Sequence, residues 1–252
     1  MKHWRTNLSA LLLLAVALLP QVVAQTVITT HDARSSAMGG CFMPDTGRLH
    51  VRLSYRQAYL MPELADKSIG IGSHLGSYGI LSASYSHFGD ASFFQQQAAA
   101  SYCLQMADWL LAAAGLAYSN TGTADPHYIP THWLSAEAAV QFKPSDNLLL
   151  TVAATSPASL KSPFRWQLQA AYKPSSRLTT LVEADFGTHN RLRTGLEYAY
   201  GNCLFARVGL STAPLAPSFG VGINYAHLRF DLSAELHSAL GLSPHTSLTL
   251  WL

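Results

Sequence analysis

The sequence is short of charge and has a single long apolar run. Asp, Glu, Lys and Arg make up 12% of the 252 residues, whereas hydrophobic residues make up 49%. A soluble domain usually carries about 25% charged residues, so this composition is unusual for one. The net charge of +2 is also too small to indicate a nucleic-acid partner. Low charge without repeated apolar runs favours a membrane protein that crosses the bilayer with strands.

Cysteines and catalytic motifs are scarce as well. The three cysteines, Cys41, Cys103 and Cys203, lie far apart, and they form no CxxC pair or metal-binding spacing. One disulfide and three free thiols are both compatible with this arrangement. The sequence contains no HExxH, GxSxG or phosphate-loop motif. It therefore predicts no enzyme activity, no metal site and no cofactor.

The long apolar run lies at the N-terminus and has the features of a secretory leader. Lys2 and Arg5 precede an apolar stretch over 8–19, and Ala24 is a small residue at a suitable cleavage point. The apolar stretch is about 12 residues, whereas a membrane-spanning helix needs about 20. We therefore predict that residues 1–24 are a signal peptide that is removed during export.

Apolar and polar residues alternate through most of the mature chain. Leu228, Phe230 and Leu232, for example, alternate with Arg229 and Asp231. Charges at every second position indicate a strand, because side chains on a strand point alternately to its two faces. A transmembrane β-barrel requires this pattern, with apolar residues towards lipid and polar residues towards the lumen.

The alternation predicts about 14 strands. They are 48–60, 67–75, 78–88, 92–105, 109–119, 132–142, 147–155, 164–173, 177–186, 190–200, 203–211, 217–226, 228–237 and 245–252. A helical hairpin in the Ala-rich segment 92–119 is the alternative there. Longer connections, such as 120–131, 212–216 and 238–244, tend to alternate with short turns. An even strand count places both termini in the periplasm.

The predicted organisation is an all-β, transmembrane antiparallel barrel over 48–252, preceded by a periplasmic or plug segment over 25–47. The location is the outer membrane of a Gram-negative bacterium. Expected partners are outer-membrane lipid and the barrel-assembly machinery. The C-terminal strand resembles the closing strand that this machinery reads, although Leu252 stands where Phe is commoner.

The inward face of this barrel is predicted to carry charges of both signs. The lumen-lining set is Arg52, Arg56, Glu137, Arg165, Glu183, Asp185, Arg193, Glu197, Arg207, Arg229, Asp231 and Glu235. Buried charges need partners, so one interpretation is a lumen packed with ion pairs and largely closed. The other is a polar path for a small solute, since a barrel of about 14 strands is wide enough for either.

The segment 31–46 lacks the alternation and contains a recognisable motif. Its motif residues are Ala33-Arg34, Met38-Gly39-Gly40 and Phe42. This run resembles the start of the FadL-like and PorV/PorQ-like outer-membrane proteins, with Asp32 in place of the usual Gly and Cys41 in place of the usual Ala. The resemblance implies a 14-stranded barrel with an N-terminal plug that includes Arg34, Met38, Gly39 and Gly40. An ordinary turn before the first strand is the alternative.

Two functions follow from these features. The FadL-like resemblance and the polar inward face imply transport, or a pore, for small molecules, with hydrophobic ones as a candidate class. The PorV/PorQ-like resemblance implies a non-enzymatic scaffold or shuttle component of a protein secretion system. The first predicts a small solute as partner. The second predicts a secreted protein that binds loops such as 120–131 and 238–244.

Overall fold

The alternating pattern is carried by 14 antiparallel strands that close into one barrel. The computed structural model describes residues 32–41, 49–74, 79–125, 127, 129–156, 164–187 and 189–252. The strands are β1 (His50–Gln57), β2 (Ala65–His74), β3 (Ile80–Gly89), β4 (Phe93–Ala107), β5 (Leu110–Thr123), β6 (Thr131–Ser145), β7 (Leu148–Thr155), β8 (Arg165–Ser175), β9 (Leu178–Phe186), β10 (Arg191–Tyr200), β11 (Leu204–Thr212), β12 (Leu215–Tyr225), β13 (Leu228–His237) and β14 (Gly241–Trp251). Each strand pairs with its neighbours in sequence, and β1 pairs with β14 to close the sheet.

The predicted barrel and strand count are confirmed, whereas the alternative helical hairpin over 92–119 is wrong. That segment forms β4 and β5, which pair along most of their length, for example at Ala99 and Ala117. Alanine has a high intrinsic preference for helix. Here its small side chain suits the inner wall, and pairing with neighbouring strands on both sides outweighs the local preference.

Several predicted connections are shorter than expected. Strand β5 extends to Thr123 and β6 starts at Thr131, so only 124–130 connects them. Strand β14 starts at Gly241 rather than 245, which reduces the predicted loop 238–244 to 238–240. The predicted loop 212–216 is also wrong, because only 213–214 separates β11 from β12. These three connections lie at one end of the barrel with four others, and we call it the loop end. The opposite end, where β1 begins and β14 ends, is the turn end.

The outer surface of the barrel is apolar and has aromatic residues towards both ends. Tyr85 and Tyr118 lie near the loop end, and Tyr172 and Tyr225 near the turn end, each more than 40% exposed. Apolar side chains such as Leu, Val and Ile fill the outward positions between these aromatics. None of the helices in the described residues is long and apolar enough to cross a membrane.

The non-alternating segment before β1 lies inside the barrel. It contains a short helix, α1 (Ala33–Ala37), followed by a turn over 38–40. Asp32 caps the helix by accepting a hydrogen bond from the Ser35 backbone N–H at 2.7 Å. Ala33, Ala37 and Met38 are completely buried. The predicted signal peptide, the start of the 25–47 segment and the motif residue Phe42 lie outside the described residues.

Candidate functional site: the plugged lumen

The structure places all the predicted lumen residues on inward positions of their strands. Most of them are buried, with Glu183 1%, Arg207 2% and Asp231 2% exposed. Charged side chains thus point to the lumen and their apolar neighbours to the outside, as the alternation along each strand predicts. Eight of the twelve predicted charges gather in two clusters, whereas Arg52, Arg56, Glu137 and Glu235 lie outside both.

The first cluster lies in the turn-end half of the lumen and includes the plug. Arg34 donates two hydrogen bonds to the Glu197 carboxylate, at 2.9 Å from Nε and 2.7 Å from Nη2. Arg207 Nε also donates to Glu197, at 2.6 Å, and Arg207 Nη1 donates to Asp231 at 2.8 Å. Arg229 Nε donates to the other Asp231 oxygen at 2.9 Å. Three cations and two carboxylates therefore share one continuous network.

The second cluster lies on β8, β9 and β10, closer to the loop end. Arg193 pairs with Glu183, and Arg165 pairs with Asp185. Arg193 Nη2 also lies 3.6 Å from Asp185, which links the two pairs. The two cations and two carboxylates balance, as charges removed from water must.

The plug adds further polar contacts with the wall it covers. Asp32 lies 3.4 Å from Arg52 of β1, and the Ser36 hydroxyl lies 3.1 Å from His245 Nδ1 of β14. The Ser218 hydroxyl of β12 donates to the Ala37 carbonyl at 3.1 Å. The same hydroxyl accepts from the Gly39 N–H at 3.1 Å. The plug is therefore bonded to strands on both sides of the barrel seam.

Glycines on the wall let the plug backbone approach closely. A Cβ added to Gly195 would lie 2.6 Å from the Met38 Cβ, and one added to Gly209 would lie 2.2 Å from the Gly39 nitrogen. These two glycines face each other across β10 and β11. Gly39 also has a φ of +76°, a conformation that favours glycine. The wall is therefore shaped to seat this segment.

The sequence did not reveal the surface of the barrel wall against which the plug packs, which we call the seat. It identified Arg34 and the glycines of the plug, but not Gly195, Gly209, Ser218 or His245 as their partners. The available signal was a run of small residues at inward positions on three consecutive strands. Such a flat patch leaves room for another backbone.

The charges and the plug occupy one side of the lumen. Helix α1 packs against β11, β12, β13 and β14. Most inward positions of β3 to β7 instead hold small or uncharged residues, and the charges described on that side are Glu137 and, in the cavity at the turn end, Lys143 of β6. The lumen thus has a charged, plugged wall and a nearly neutral wall.

A cavity of about 510 Å³ lies at the turn end and is lined by β3 to β9 and their connections. Ile80, Leu111, Leu149, Leu181 and Trp109 contribute apolar surface to it, and Asp108, Lys143, Asp146 and Lys173 contribute charged side chains. Leu181 also packs with Met38 and Cys41 of the plug. This volume is within the usual range of about 300–1,000 Å³ for small-molecule sites.

The described residues offer no metal site. Among them, no group of three or more His, Cys, Asp or Glu side chains is arranged to hold a metal ion. Cys41 is buried, Cys103 is half-buried and Cys203 is exposed, and all three are free thiols.

Two solved structures resemble this barrel over nearly their whole length. The chain resembles the CymD monoaromatic hydrocarbon channel with a TM-score of 0.64 and 10% identity, over 91% of this chain and 99% of that one. It also resembles the toluene transporter TodX of Pseudomonas putida with a TM-score of 0.61 and 11% identity, over 91% and 98% of the two chains. No family model matches the sequence, and neither does any curated protein.

These likenesses define the class of fold. The chain has the barrel fold of outer-membrane hydrocarbon channels, and this agrees with the FadL-like half of the sequence resemblance. At such low identity the likeness carries the fold alone.

Proposed function

We propose that this protein is a non-enzymatic outer-membrane channel for small molecules. The observation that supports it most directly is the one-sided plug, which covers the charged wall and leaves a cavity of about 510 Å³ along the neutral wall. A plug that filled the bore evenly would leave no such space. The paired charges hold the plug, and the opposite side of the lumen offers the path.

The proposed location rests on the outer face of the barrel and on the predicted signal peptide. A closed barrel satisfies all its backbone hydrogen bonds between strands, which is required in hydrocarbon. The apolar outer surface with aromatics towards both ends matches a lipid-facing band. The expected surroundings are outer-membrane lipid, reached through the barrel-assembly machinery.

We propose apolar molecules as the main solutes. The cavity presents Ile80, Leu111, Leu149 and Leu181, which favour an apolar ligand through the burial of its surface. The two similar structures are a monoaromatic hydrocarbon channel and a toluene transporter.

The test is solute uptake by cells whose outer membrane contains this protein. Uptake of the apolar dye 1-N-phenylnaphthylamine should increase with expression of the protein. Leu149→Trp fills the cavity and should abolish the increase. Leu150→Trp places the same side chain on the outward face of the same strand, where Leu150 is 36% exposed, and should leave uptake unchanged. Equal uptake by both variants would refute a path through this cavity.

A scaffold or shuttle role in protein secretion is the second candidate. Its support is the tightly bonded plug, since a component that binds a secreted protein needs no open bore. Its predicted contact surface includes the connections 124–130 and 238–240. Pull-down from solubilised membranes with these connections shortened should lose a secreted protein if this role is correct. Recovery of lipid and assembly factors alone would refute it.

A further inference from the structure

Four strands of the neutral wall continue beyond the apolar band at the loop end. Tyr85, Ala98, Tyr118 and Leu134 are paired neighbours across β3, β4, β5 and β6, and all four face outward. The next outward row towards the loop end consists of polar residues: His87, Gln96, Asn120 and His132. Because an outward polar row does not fit a lipid contact, the apolar band ends between these rows.

The polar row is bonded within itself and to the aromatic row below it. The Tyr118 hydroxyl lies 2.8 Å from His132 Nδ1, and Gln96 Nε2 lies 3.5 Å from His87 Nδ1. Tyrosine hydroxyls at this height are typical of a membrane interface. The wall above this boundary therefore projects beyond the apolar band.

The inner face of this projecting part has its own chemistry. We call it the mouth wall, formed by the inward side chains of 86–88, 93–97, 119–123 and 131–133. One row across it is Ser86, Gln97, Ser119 and Trp133, and the next includes Phe88, Gln95 and Thr121. These inward positions carry hydroxyls, primary amides and aromatic rings without a formal charge.

Three polar atoms on the mouth wall are buried and have no hydrogen-bond partner in the structure. They are the Ser119 hydroxyl, the Thr121 hydroxyl and the Trp133 indole N–H. Ser119 is 0% exposed and pairs directly with Trp133 across β5 and β6. Buried polar groups in native proteins nearly always have a partner, in the protein, in water or in a ligand, so these three atoms are candidate contacts for a bound ligand.

The neighbouring aromatic rings are placed to contact the same ligand. Phe88 and Phe93 lie with ring centroids 6.5 Å apart at an angle of 79°, on the inward side of β3 and β4. The nearest charged inward neighbour in register is Asp66, opposite Phe88, and it lies 3.9 Å from Arg56. The site thus combines flat apolar faces with uncharged donors and acceptors.

We propose that the mouth wall is a binding site for a neutral saccharide. The C–H face of a pyranose ring is apolar and suits an aromatic ring, while its hydroxyls both donate and accept hydrogen bonds. The unpartnered hydroxyls accept and donate, the indole N–H donates, and the amide of Gln95 does both. A charged ligand finds no counter-ion among the inward side chains of the mouth wall, and a hydrocarbon leaves the buried polar atoms unsatisfied. This site is separate from the turn-end cavity and does not depend on the transport proposal.

Isothermal titration of the purified barrel in lipid nanodiscs tests the proposal, with maltotriose, cellotriose and mannotriose as probes. At least one trisaccharide should bind. Gln95→Ala should weaken that binding by roughly three- to tenfold, the usual effect of one lost hydrogen bond. Gln96→Ala changes the neighbouring amide, which faces outward, and should change binding less than twofold.

Trp133→Phe provides a second, independent readout. It keeps a ring and removes the N–H, so it should weaken trisaccharide binding and also remove the ligand-induced change in tryptophan fluorescence. Heat-modifiable migration on a gel checks that each variant is folded. Failure of all three sugars at 10 mM would overturn the proposal. Equal weakening by Gln95→Ala and Gln96→Ala would do the same, as would quenching of Trp133 by toluene in the absence of any sugar binding.

Discussion

Arg34 of the plug and Glu197 of β10 form a two-point ion pair inside the barrel, with distances of 2.9 Å and 2.7 Å. The parallel geometry fixes both the position and the orientation of the guanidinium. Glu197 also accepts from Arg207 of the neighbouring strand. One carboxylate therefore connects the wall network to the segment that partly fills the bore.

Arg34→Ala should loosen the plug and open the lumen. Loss of a charge-assisted bond of about 2 kcal/mol corresponds to roughly a 30-fold change in the equilibrium between seated and released plug. Glu197 keeps Arg207 as a partner, so the barrel should stay folded. The measurement is single-channel conductance in planar bilayers, which should rise relative to the unmodified protein.

The matched control for this prediction is Arg165→Ala. Arg165 is also an inward arginine with a carboxylate partner, but its partner is Asp185 of the wall. Arg165→Ala should leave the single-channel conductance close to that of the unmodified protein. If both variants raise conductance equally, the Arg34 contact does not hold the plug.

Gly209→Leu should displace the plug from its seat. A Cβ at this position would already lie 2.2 Å from the Gly39 nitrogen, and a closely packed interior does not absorb such an overlap. Hydrogen exchange of the amides in 32–41 should become faster, while the strands stay protected. Ala99→Leu adds a side chain of the same kind to the opposite wall and should leave this exchange unchanged. Unchanged protection of 32–41 in Gly209→Leu would contradict the proposed seat.

The strands were predictable because lipid and lumen impose opposite demands on consecutive residues. The predicted bounds of β13 match the observed ones, because Arg229 and Asp231 can face only the lumen and their neighbours must then face lipid. The loop-end connections were less predictable. Residues 241–244 and 120–123 were predicted as loop because of their polar and turn-forming residues, yet pairing with a neighbouring strand extends β14 and β5 through them.

The sequence predicted which residues line the candidate site, but it did not predict which of them contact one another. The period of two places Glu197 and Arg207 on the inner face, and consecutive strands bring them together. Arg34 is far from them in sequence, so its choice of Glu197 over other carboxylates depends on where the plug enters. The small residues Gly195 and Gly209 decide that position, and their role appears only once the register is known.

Cysteine labelling should report which end of the barrel faces the periplasm. Cys203 is exposed in the turn-end connection 201–203, whereas Cys41 is buried in the plug. Burial raises the pKa of the Cys41 thiol to about 12, so the reactive thiolate is scarce at neutral pH. In a Cys103→Ser background, a membrane-impermeant maleimide should label Cys203 only after the outer membrane is permeabilised. Cys41 should react only after unfolding. Labelling of Cys203 in intact cells would place the turn end outside.

Arg207→Met should destabilise the barrel, because it removes a fully buried cation that bonds two carboxylates. The Arg207 side chain is 0% exposed, and it bonds Glu197 at 2.6 Å and Asp231 at 2.8 Å. Its guanidinium carbon also lies 5.5 Å from the centre of the Phe205 ring. Glu197 keeps Arg34 and Asp231 keeps Arg229 as partners, so the expected cost is that of lost charge-assisted hydrogen bonds, about 2–3 kcal/mol. Urea unfolding of the barrel in liposomes, followed by tryptophan fluorescence, measures this loss.

A second variant separates the loss of the charge from the loss of the side chain. Arg207→Lys keeps the positive charge but loses the planar guanidinium and its contact with the Phe205 ring. Part of the stability lost in Arg207→Met should return, since an ammonium group still donates to Glu197 and Asp231. If Arg207→Lys is as unstable as Arg207→Met, the fixed geometry of the guanidinium and its contact with Phe205 are the main contribution of this residue.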